Sequence, residues 1–170
     1  MKSINVVKGD ITNIEVDIIV NAANRNLSGG GGVDGAIHKK AGIKLYIECE
    51  HLNGCNTGEA KMTDAYNLPA KKIIHTVGPT YMMDNREILL KNCYISTIKL
   101  AEEYRVNNNL DEITISFPCI STGVYKYPKD EASKIAVDTI KSINNDHINV
   151  LFVCYEDTDY NLYKECLKET

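Results

Sequence analysis

Residues 21–35 read Asn21-Ala-Ala-Asn24-Arg-Asn-Leu-Ser28-Gly29-Gly-Gly-Gly32-Val33-Asp34-Gly35. The hydrophobic run Val16 to Val20 feeds into this stretch, ends in two carboxamides, and gives way to four consecutive glycines that open a helical pattern. Glycines at a strand-to-helix junction let bare backbone N–H groups approach a ligand closely. The helix N-terminus adds partial positive charge, so the junction suits a phosphate or diphosphate. Asp34 conflicts with that reading, because it sets a carboxylate where an anion should bind. Chemistry as well as binding is therefore expected here.

Outward from this junction, short apolar runs alternate with amphipathic helical patterns. Ile4–Val7, Val16–Val20, Lys72–Val77, Glu112–Phe117 and Asn149–Cys154 read as strands. Gly78-Pro79 and Pro118 stop the third and fourth of these. Val33–Ala41, Ile43–Cys49, Glu87–Tyr104, Lys129–Ile143 and Thr158–Leu167 read as helices from their apolar spacing. Strands apolar on both faces and separated by helices predict an α/β fold, with a mainly parallel sheet covered on both sides. No linker divides residues 1–170, so one α/β/α layered domain is expected. Ligands of such open sheets sit beyond the carboxyl ends of the strands. The loops after Asn21 and after Phe117 both follow strands and can wall one cleft.

The composition excludes several classes of function. The chain has 170 residues, 44% of them hydrophobic and 25% charged, enough for a sizeable core. Its formal charge is −4, and no dense run of Lys or Arg provides the basic face that a nucleic-acid backbone needs. The first residues lack the apolar core of a signal peptide, and no apolar run approaches the roughly 18 residues that span a bilayer. The six cysteines, Cys49, Cys55, Cys93, Cys119, Cys154 and Cys166, form no C-x-x-C pair and no zinc spacing. Reduced cysteines in a cytoplasmic protein, no metal, no cofactor and no membrane partner are expected.

Gly30, Gly32 and Gly35 match G-x-G-x-x-G formally, but Asn21 to Gly29 separate them from the strand. No acidic strand end follows at the distance a dinucleotide fold requires. In the second loop, Pro118-Cys-Ile-Ser121-Thr-Gly-Val-Tyr125-Lys-Tyr-Pro128, Cys119 to Gly123 superficially resembles a nucleophile elbow. Pro128 separates Ser121 from its helix, which argues against a serine hydrolase. Ser121, Thr122 and the amides of Gly123 and Val124 suit diphosphate oxygens instead. Tyr125 and Tyr127 are candidates to cover a sugar, with packing beside a turn an equal reading for Tyr127. Asp10, in Gly9-Asp-Ile-Thr12, can accept from an exocyclic amine or simply cap a turn. Tyr155 ends the last strand, where a base can stack. His75 reads as a hydrogen-bonded core histidine, His38 as a weak candidate one helical turn past Asp34, and His51 and His147 as surface residues. Glu59 reads as structural.

Several motifs occur together and in order: Gly9-Asp-Ile-Thr12, Asn21-Ala-Ala-Asn24, Gly29–Gly35 with Ala36-Ile-His38, Cys55-Asn-Thr-Gly-Glu-Ala-Lys61, Asn67-Leu-Pro-Ala-Lys71, Ile73-Ile-His-Thr-Val-Gly-Pro79 and Phe117-Pro-Cys-Ile-Ser-Thr-Gly-Val-Tyr125. Over nearly the whole chain they resemble a macrodomain, and the four-glycine loop ending in Val-Asp-Gly resembles the MacroD-type ADP-ribosyl-hydrolases. The resemblance implies a three-layer α/β/α sandwich with a central mixed, mostly parallel sheet. It implies ADP-ribose and ADP-ribosylated proteins as partners, nucleic acid only at ADP-ribosylated ends, and a monomer. By resemblance, Asp10 contacts the adenine amine, the Ile11 amide its ring, and Tyr155 stacks on it. Ala23 belongs to the substrate site, and Asn24 holds the distal ribose. Gly32 and Val33, with Ser121, Thr122, Gly123 and Val124, bind the diphosphate, and Tyr125 flanks the distal ribose. Asp34 orients or activates water near the anomeric carbon.

The implied reaction is hydrolysis of the ester between the distal ribose and a protein Asp or Glu, with deacetylation of O-acetyl-ADP-ribose in the same site. Asn24 and Asp34 are the candidate catalytic residues. A non-catalytic ADP-ribose reader and an ADP-ribose 1″-phosphate phosphatase are the alternatives. One departure concerns the second loop: the family often has glycine before Tyr127-Pro128, where this chain has Lys126.

Overall fold

The computed structural model describes residues 1–169; residue 170, inside the expected domain span, lies outside them. Six strands form one sheet: β1 (Ser3–Lys8), β2 (Ile18–Ala22), β3 (Ala60–Asp64), β4 (Lys72–Thr76), β5 (Ile113–Phe117) and β6 (Ile148–Cys154). Their spatial order is β1-β6-β5-β2-β4-β3, with every pairing parallel except β3 against β4. The five helices are α1 (Gly32–Ala41), α2 (Ile43–His51), α3 (Arg86–Asn107), α4 (Lys129–Ser142) and α5 (Asp157–Lys168). Among the described residues no helix is long and apolar enough to cross a membrane.

Successive strand side chains point to opposite faces, so each central strand serves two cores. Ile18 and Val20 of β2 join Leu90, Ile98, Ala136 and Ile140 beneath α3 and α4. Ile19, between them, joins Ile37, Ala41, Leu45 and Cys49 beneath α1 and α2. An aromatic column stiffens the first core: Tyr94, Phe117, Phe152 and Tyr163 stack with centroid separations of 5.2, 5.9 and 5.0 Å. Each such pair contributes about 1 kcal/mol beyond the area it buries. The expected three layers are present, with a mixed, mostly parallel sheet at their centre.

Two elements differ from the sequence reading. The strand expected at Val16–Val20 runs from Ile18 to Ala22, which carries Asn21 into the sheet and out of the loop. Strand β3 has no counterpart in that reading. It is an edge strand of Ala60-Lys-Met-Thr-Asp64 in which Thr63 alone is fully buried, so its apolar alternation is faint. Glu59, just before it, contributes through its backbone: its carbonyl accepts from Val77 N and from Thr76 Oγ1 at 2.9 Å.

Close approach and backbone conformation account for particular residues in the loops at the carboxyl edge of the sheet. A Cβ on Gly35 would lie 2.4 Å from the carbonyl oxygen of Gly30, so the first turn of α1 touches the glycine loop backbone to backbone. In the second loop Ser121 has φ +70° and Lys126 φ +61°, the left-handed region that favours glycine. Lys126, the departure noted above, therefore occupies a position whose backbone asks for glycine.

Gly35→Ala should lower stability by about 2 kcal/mol despite a helix-propensity gain of about 1 kcal/mol, because a backbone carbonyl cannot step aside. Gly123→Ala, which meets open space, should change stability by less than about 0.5 kcal/mol. Equal urea midpoints for the two variants would contradict this account. Lys126→Gly should raise stability by about 1 kcal/mol: it relieves a strain of about 1–3 kcal/mol and adds a glycine entropy cost of about 0.5–1 kcal/mol. The same denaturation series reads the sign.

Candidate active site

The carboxyl ends of β1, β6, β5 and β2 are neighbours on one edge of the sheet, in that order. Each delivers a segment that the sequence singles out. Beyond β1, Asp10 caps a 3-10 turn at Ile11–Asn13, its Oδ1 accepting from Thr12 N at 2.9 Å and from Thr12 Oγ1 at 2.7 Å. Those bonds hold its carboxyl below the usual carboxylate range. Asp10 is exposed and Ile11 is buried. The capping reading of Asp10 is correct, and Oδ2 accepts a long bond from Asn13 Nδ2 at 3.5 Å. Beyond β6, Tyr155 stands 78% exposed.

The second loop leaves β5. Ser121 is buried, and a Cβ on Gly78 would lie 2.1 Å from its Oγ, so the bare end of β4 is what admits this loop. Ser121 O accepts from Tyr127 N at 2.9 Å, and Gly123 O accepts from Lys126 N at 3.0 Å, closing the loop on itself. Thr122 is half-buried, whereas Gly123 and Val124 project outward, Val124 being 90% exposed. Tyr125 is half-buried and its carbonyl accepts from Tyr81 N at 2.9 Å. Tyr127 does not face the cleft. It is buried edge-on against Tyr81 at 5.2 Å, so the sugar-covering reading fails for it and the packing reading holds.

The glycine loop leaves β2. Ala23 is buried at its start, its N–H donating to Thr76 O at 2.9 Å. Asn24 folds the loop: Oδ1 accepts from Ser28 N at 3.1 Å, while Nδ2 donates to Gly29 O at 3.1 Å and Ser28 Oγ at 3.2 Å. Asn24 and Asp34 converge on one point. A Cβ on Gly30 would meet Asp34 Oδ2 at 3.4 Å and Asn24 Nδ2 at 3.8 Å. Gly32 and Val33 begin α1, where the first N–H groups have no acceptor within the helix.

Asp34 lies in the first turn of α1 and is 6% exposed. A carboxylate so buried needs a donor, and Asn21 Nδ2 supplies one to Oδ1 at 2.8 Å. His38 Nε2 lies 3.4 Å from the same oxygen, near enough for charge to matter but without hydrogen-bond alignment. Burial dominates at both groups. It raises the Asp34 carboxyl against the opposing Asn21 bond and His38 charge, and it lowers His38 against the pull of Asp34. The arrangement is thus an unusually basic carboxylate beside a neutral imidazole. Tyr46 of α2 packs on His38 at a centroid distance of 4.5 Å and backs Gly29, closing the far wall.

Asn21 and His38 are the residues that sequence reasoning underrated. The available signal was a carboxamide ending an apolar strand: such a buried group must have partners. His75 is the core histidine it was read to be. Its Nδ1 lies 3.1 Å from Asn21 Nδ2 and its Nε2 lies 2.9 Å from Thr63 Oγ1. His38, Cys49 and His75 bring potential metal ligands within 4.8 Å of one another, which their spacing in sequence hides. Both His75 nitrogens are already engaged, and burial pushes the Cys49 thiol up to about 11, so this is a hydrogen-bonded cluster. All six cysteines are free, and His51 and His147 are exposed as expected.

Comparison with known proteins agrees with this geometry. The family model described as "Macro domain" matches residues 20–136. The chain is 46% identical over 99% of its length to the ADP-ribose glycohydrolase MACROD2 of Xenopus laevis, and spans 40% of that relative's length. Among solved structures, the Oceanobacillus iheyensis macrodomain with ADP is 44% identical, covering 96% of this chain and 88% of that one, with a TM-score of 0.88. The Trypanosoma brucei macrodomain in complex with ADP-ribose is 40% identical, covering 96% and 68%, with a TM-score of 0.84. With that extent of match in both sequence and shape, the chain belongs to the macro domain family.

Proposed function

We propose that this chain, acting as a single macro domain, binds ADP-ribose and hydrolyses the ester joining its distal ribose to an acidic side chain, and that the same site deacetylates O-acetyl-ADP-ribose. The observation that carries the reading is the order of strand ends along the sheet edge. It runs from a capped, exposed carboxylate and a projecting tyrosine, through a loop of free amides and the α1 N-terminus, to a buried carboxylate. Adenine, diphosphate and distal ribose follow one another in the same order along the ligand.

In this reading Asp10 accepts from the adenine amine, Ile11 presents its amide to the ring, and Tyr155 stacks on it. Ser121, Thr122, Gly123 and Val124 face the diphosphate from one side, with Gly32 and Val33 at the start of α1 on the other. Ala23, Asn24 and Tyr125 border the distal ribose. Asp34 then acts as general base. It takes a proton from water as the oxygen adds to the acyl carbon, and returns that proton to the ribose oxygen when the ester C–O bond breaks. Products are the free side-chain carboxylate, or acetate, and ADP-ribose. Burial of Asp34 favours this role, since raising its pKa strengthens it as a base. A bound diphosphate, carrying like charge, raises it further.

Asp34→Asn keeps the size and polarity of the side chain and removes its basicity. Turnover of a protein carrying mono-ADP-ribose on glutamate should fall by about 10²- to 10⁴-fold, with calorimetric ADP-ribose affinity within a few-fold of wild type. Unchanged turnover would remove Asp34 from the chemistry; binding without turnover by the unaltered protein would leave a reader, and no heat of binding at millimolar ADP-ribose would sink the site itself. Activity must also fall as pH drops through the Asp34 pKa, because the base is then protonated. That acid limb should lie above the ordinary carboxylate range, in the direction burial moves the group. A pH–rate profile flat down to pH 4 would contradict it.

A further inference from the structure

A line of hydrogen bonds crosses three strands behind the cleft and ends on Asp34. Thr63 on β3 lies diagonally across from His75 on β4, since Lys61 is the residue paired with His75. His75 in turn is paired with Asn21 on β2, and Asn21 reaches Asp34 on α1. Thr63, His75 and Asn21 are each at most 1% exposed, so water does not substitute for a missing partner in this line.

The directions of the protons in the line depend on one another, beginning at its far end. Thr63 Oγ1 has one proton, and the carbonyl of Asp64, 3.1 Å away, can only accept it. With that proton donated to the Asp64 carbonyl, Oγ1 offers lone pairs to His75 Nε2 at 2.9 Å, and Nε2 is the nitrogen that carries the hydrogen. Burial keeps the imidazole neutral, its pKa pushed down to about 3, which leaves Nδ1 bare. A bare Nδ1 accepts from Asn21 Nδ2 at 3.1 Å, and the second hydrogen of that nitrogen goes to Asp34 Oδ1 at 2.8 Å. With the opposite tautomer, Nδ1–H would call for the amide oxygen of Asn21 in that place. An oxygen would then face the Asp34 carboxylate at the same short distance. That arrangement suits a protonated Asp34, which can donate, and disfavours the ionised base.

We propose that Thr63 and His75 are positioning residues that fix which end of the Asn21 amide faces Asp34, and so hold Asp34 as an ionised base. This rests on the hydrolytic reading of Asp34 given above. The other titratable groups around Asp34 are His38 on its own helix and Cys49 on α2, whose thiol lies 3.8 Å from His75 Nε2. Neither supplies Asn21 with an acceptor, so neither can replace His75 in the line.

The test combines Thr63→Val, which removes the hydroxyl at nearly constant volume, with Thr63→Ser, which keeps it. Nitrogen-15 spectra of the imidazoles should show His75 of the unaltered protein as the Nε2–H tautomer, and Thr63→Val should populate Nδ1–H. On glutamate-linked mono-ADP-ribose, Thr63→Val should lower kcat about tenfold, the scale of one charge-assisted hydrogen bond. KM and ADP-ribose affinity should stay within twofold, the acid limb should move to higher pH, and Thr63→Ser should restore all of these. The proposal is overturned if unaltered His75 is the Nδ1–H form, a measurement that needs no variant to fold. It is also overturned if Thr63→Val keeps the wild-type kcat and profile, or loses activity with its tautomer unchanged. Full turnover by Asp34→Asn would instead overturn the role of Asp34 as base, on which the proposal rests, and leave the tautomer result standing.

Discussion

A carboxylate at 6% exposure costs several kcal/mol in lost hydration unless donors face it, and most of this site is arranged around meeting that cost. Asp34 sits in the first turn of α1, two residues after the helix begins, with its carboxylate turned inward. Its donor has to come from beneath, and Asn21 is there because β2 extends to Ala22, so that the strand itself positions the amide. The sheet therefore supplies more than a platform. Its central strand carries the hydrogen-bond donor that lets an acid remain charged next to the N-terminus of a helix. Burial raises the basicity of this carboxylate and the Asn21 bond, which works the other way on its pKa, fixes its orientation.

The layered architecture was legible because the central strands are continuous apolar runs and the helices between them keep a clear period. Ile18-Ile-Val20 and Val150 to Cys154 are runs of the kind that strands covered on both faces carry. Edge strand β3 was not legible, since Ala60-Lys-Met-Thr-Asp64 has one fully buried side chain and no strong alternation. That omission also hid the path to Asp34, because Thr63 belongs to β3. Of the candidate site, the residues on loops were found from local chemistry: glycines, a lone acid and small hydroxylated residues mark a backbone that must approach something. Residues acting from inside the sheet were not. His75 and Asn21 are brought together by β2–β4 register, and no spacing in the sequence encodes a register.

The order of the sheet links these local facts to one another. Because β1, β6, β5 and β2 are consecutive neighbours although far apart in sequence, four short segments come to lie side by side along one edge of the sheet. Each segment on its own supports a bland reading, and the structure upholds some of those. Asp10 does cap a turn, Tyr127 does pack in the core, and Asn24 does fold its own loop. None of these roles excludes a ligand. A capped Asp10 remains exposed, and an Asn24 anchored to Ser28 and Gly29 is held in one place beside Asp34. Structural bonds of this kind pre-organise polar groups, which lowers what ligand binding must spend on ordering them.

The two loops reach the same groove by different means, and the difference bears on which of them can move. The glycine loop achieves close approach by leaving out side chains: Gly35 against the Gly30 carbonyl leaves no room for even a methyl group. The loop after β5 keeps its side chains and instead holds Ser121 and Lys126 in left-handed backbone, at a cost of about 1–3 kcal/mol each. Such strain persists only where surroundings over-determine it, and here they do on the Ser121 side: its carbonyl is bonded to Tyr127, and its hydroxyl is wedged against Gly78. Among the described residues Lys126 has the one bond to Gly123, and it stands exposed. The loop is therefore anchored at its base and loosest at its tip, where Gly123 and Val124 present amides outward. Rearrangement on binding a diphosphate should begin at that tip, while the glycine loop, locked by backbone contact and by Asn24, keeps Asp34 where the strands have placed it.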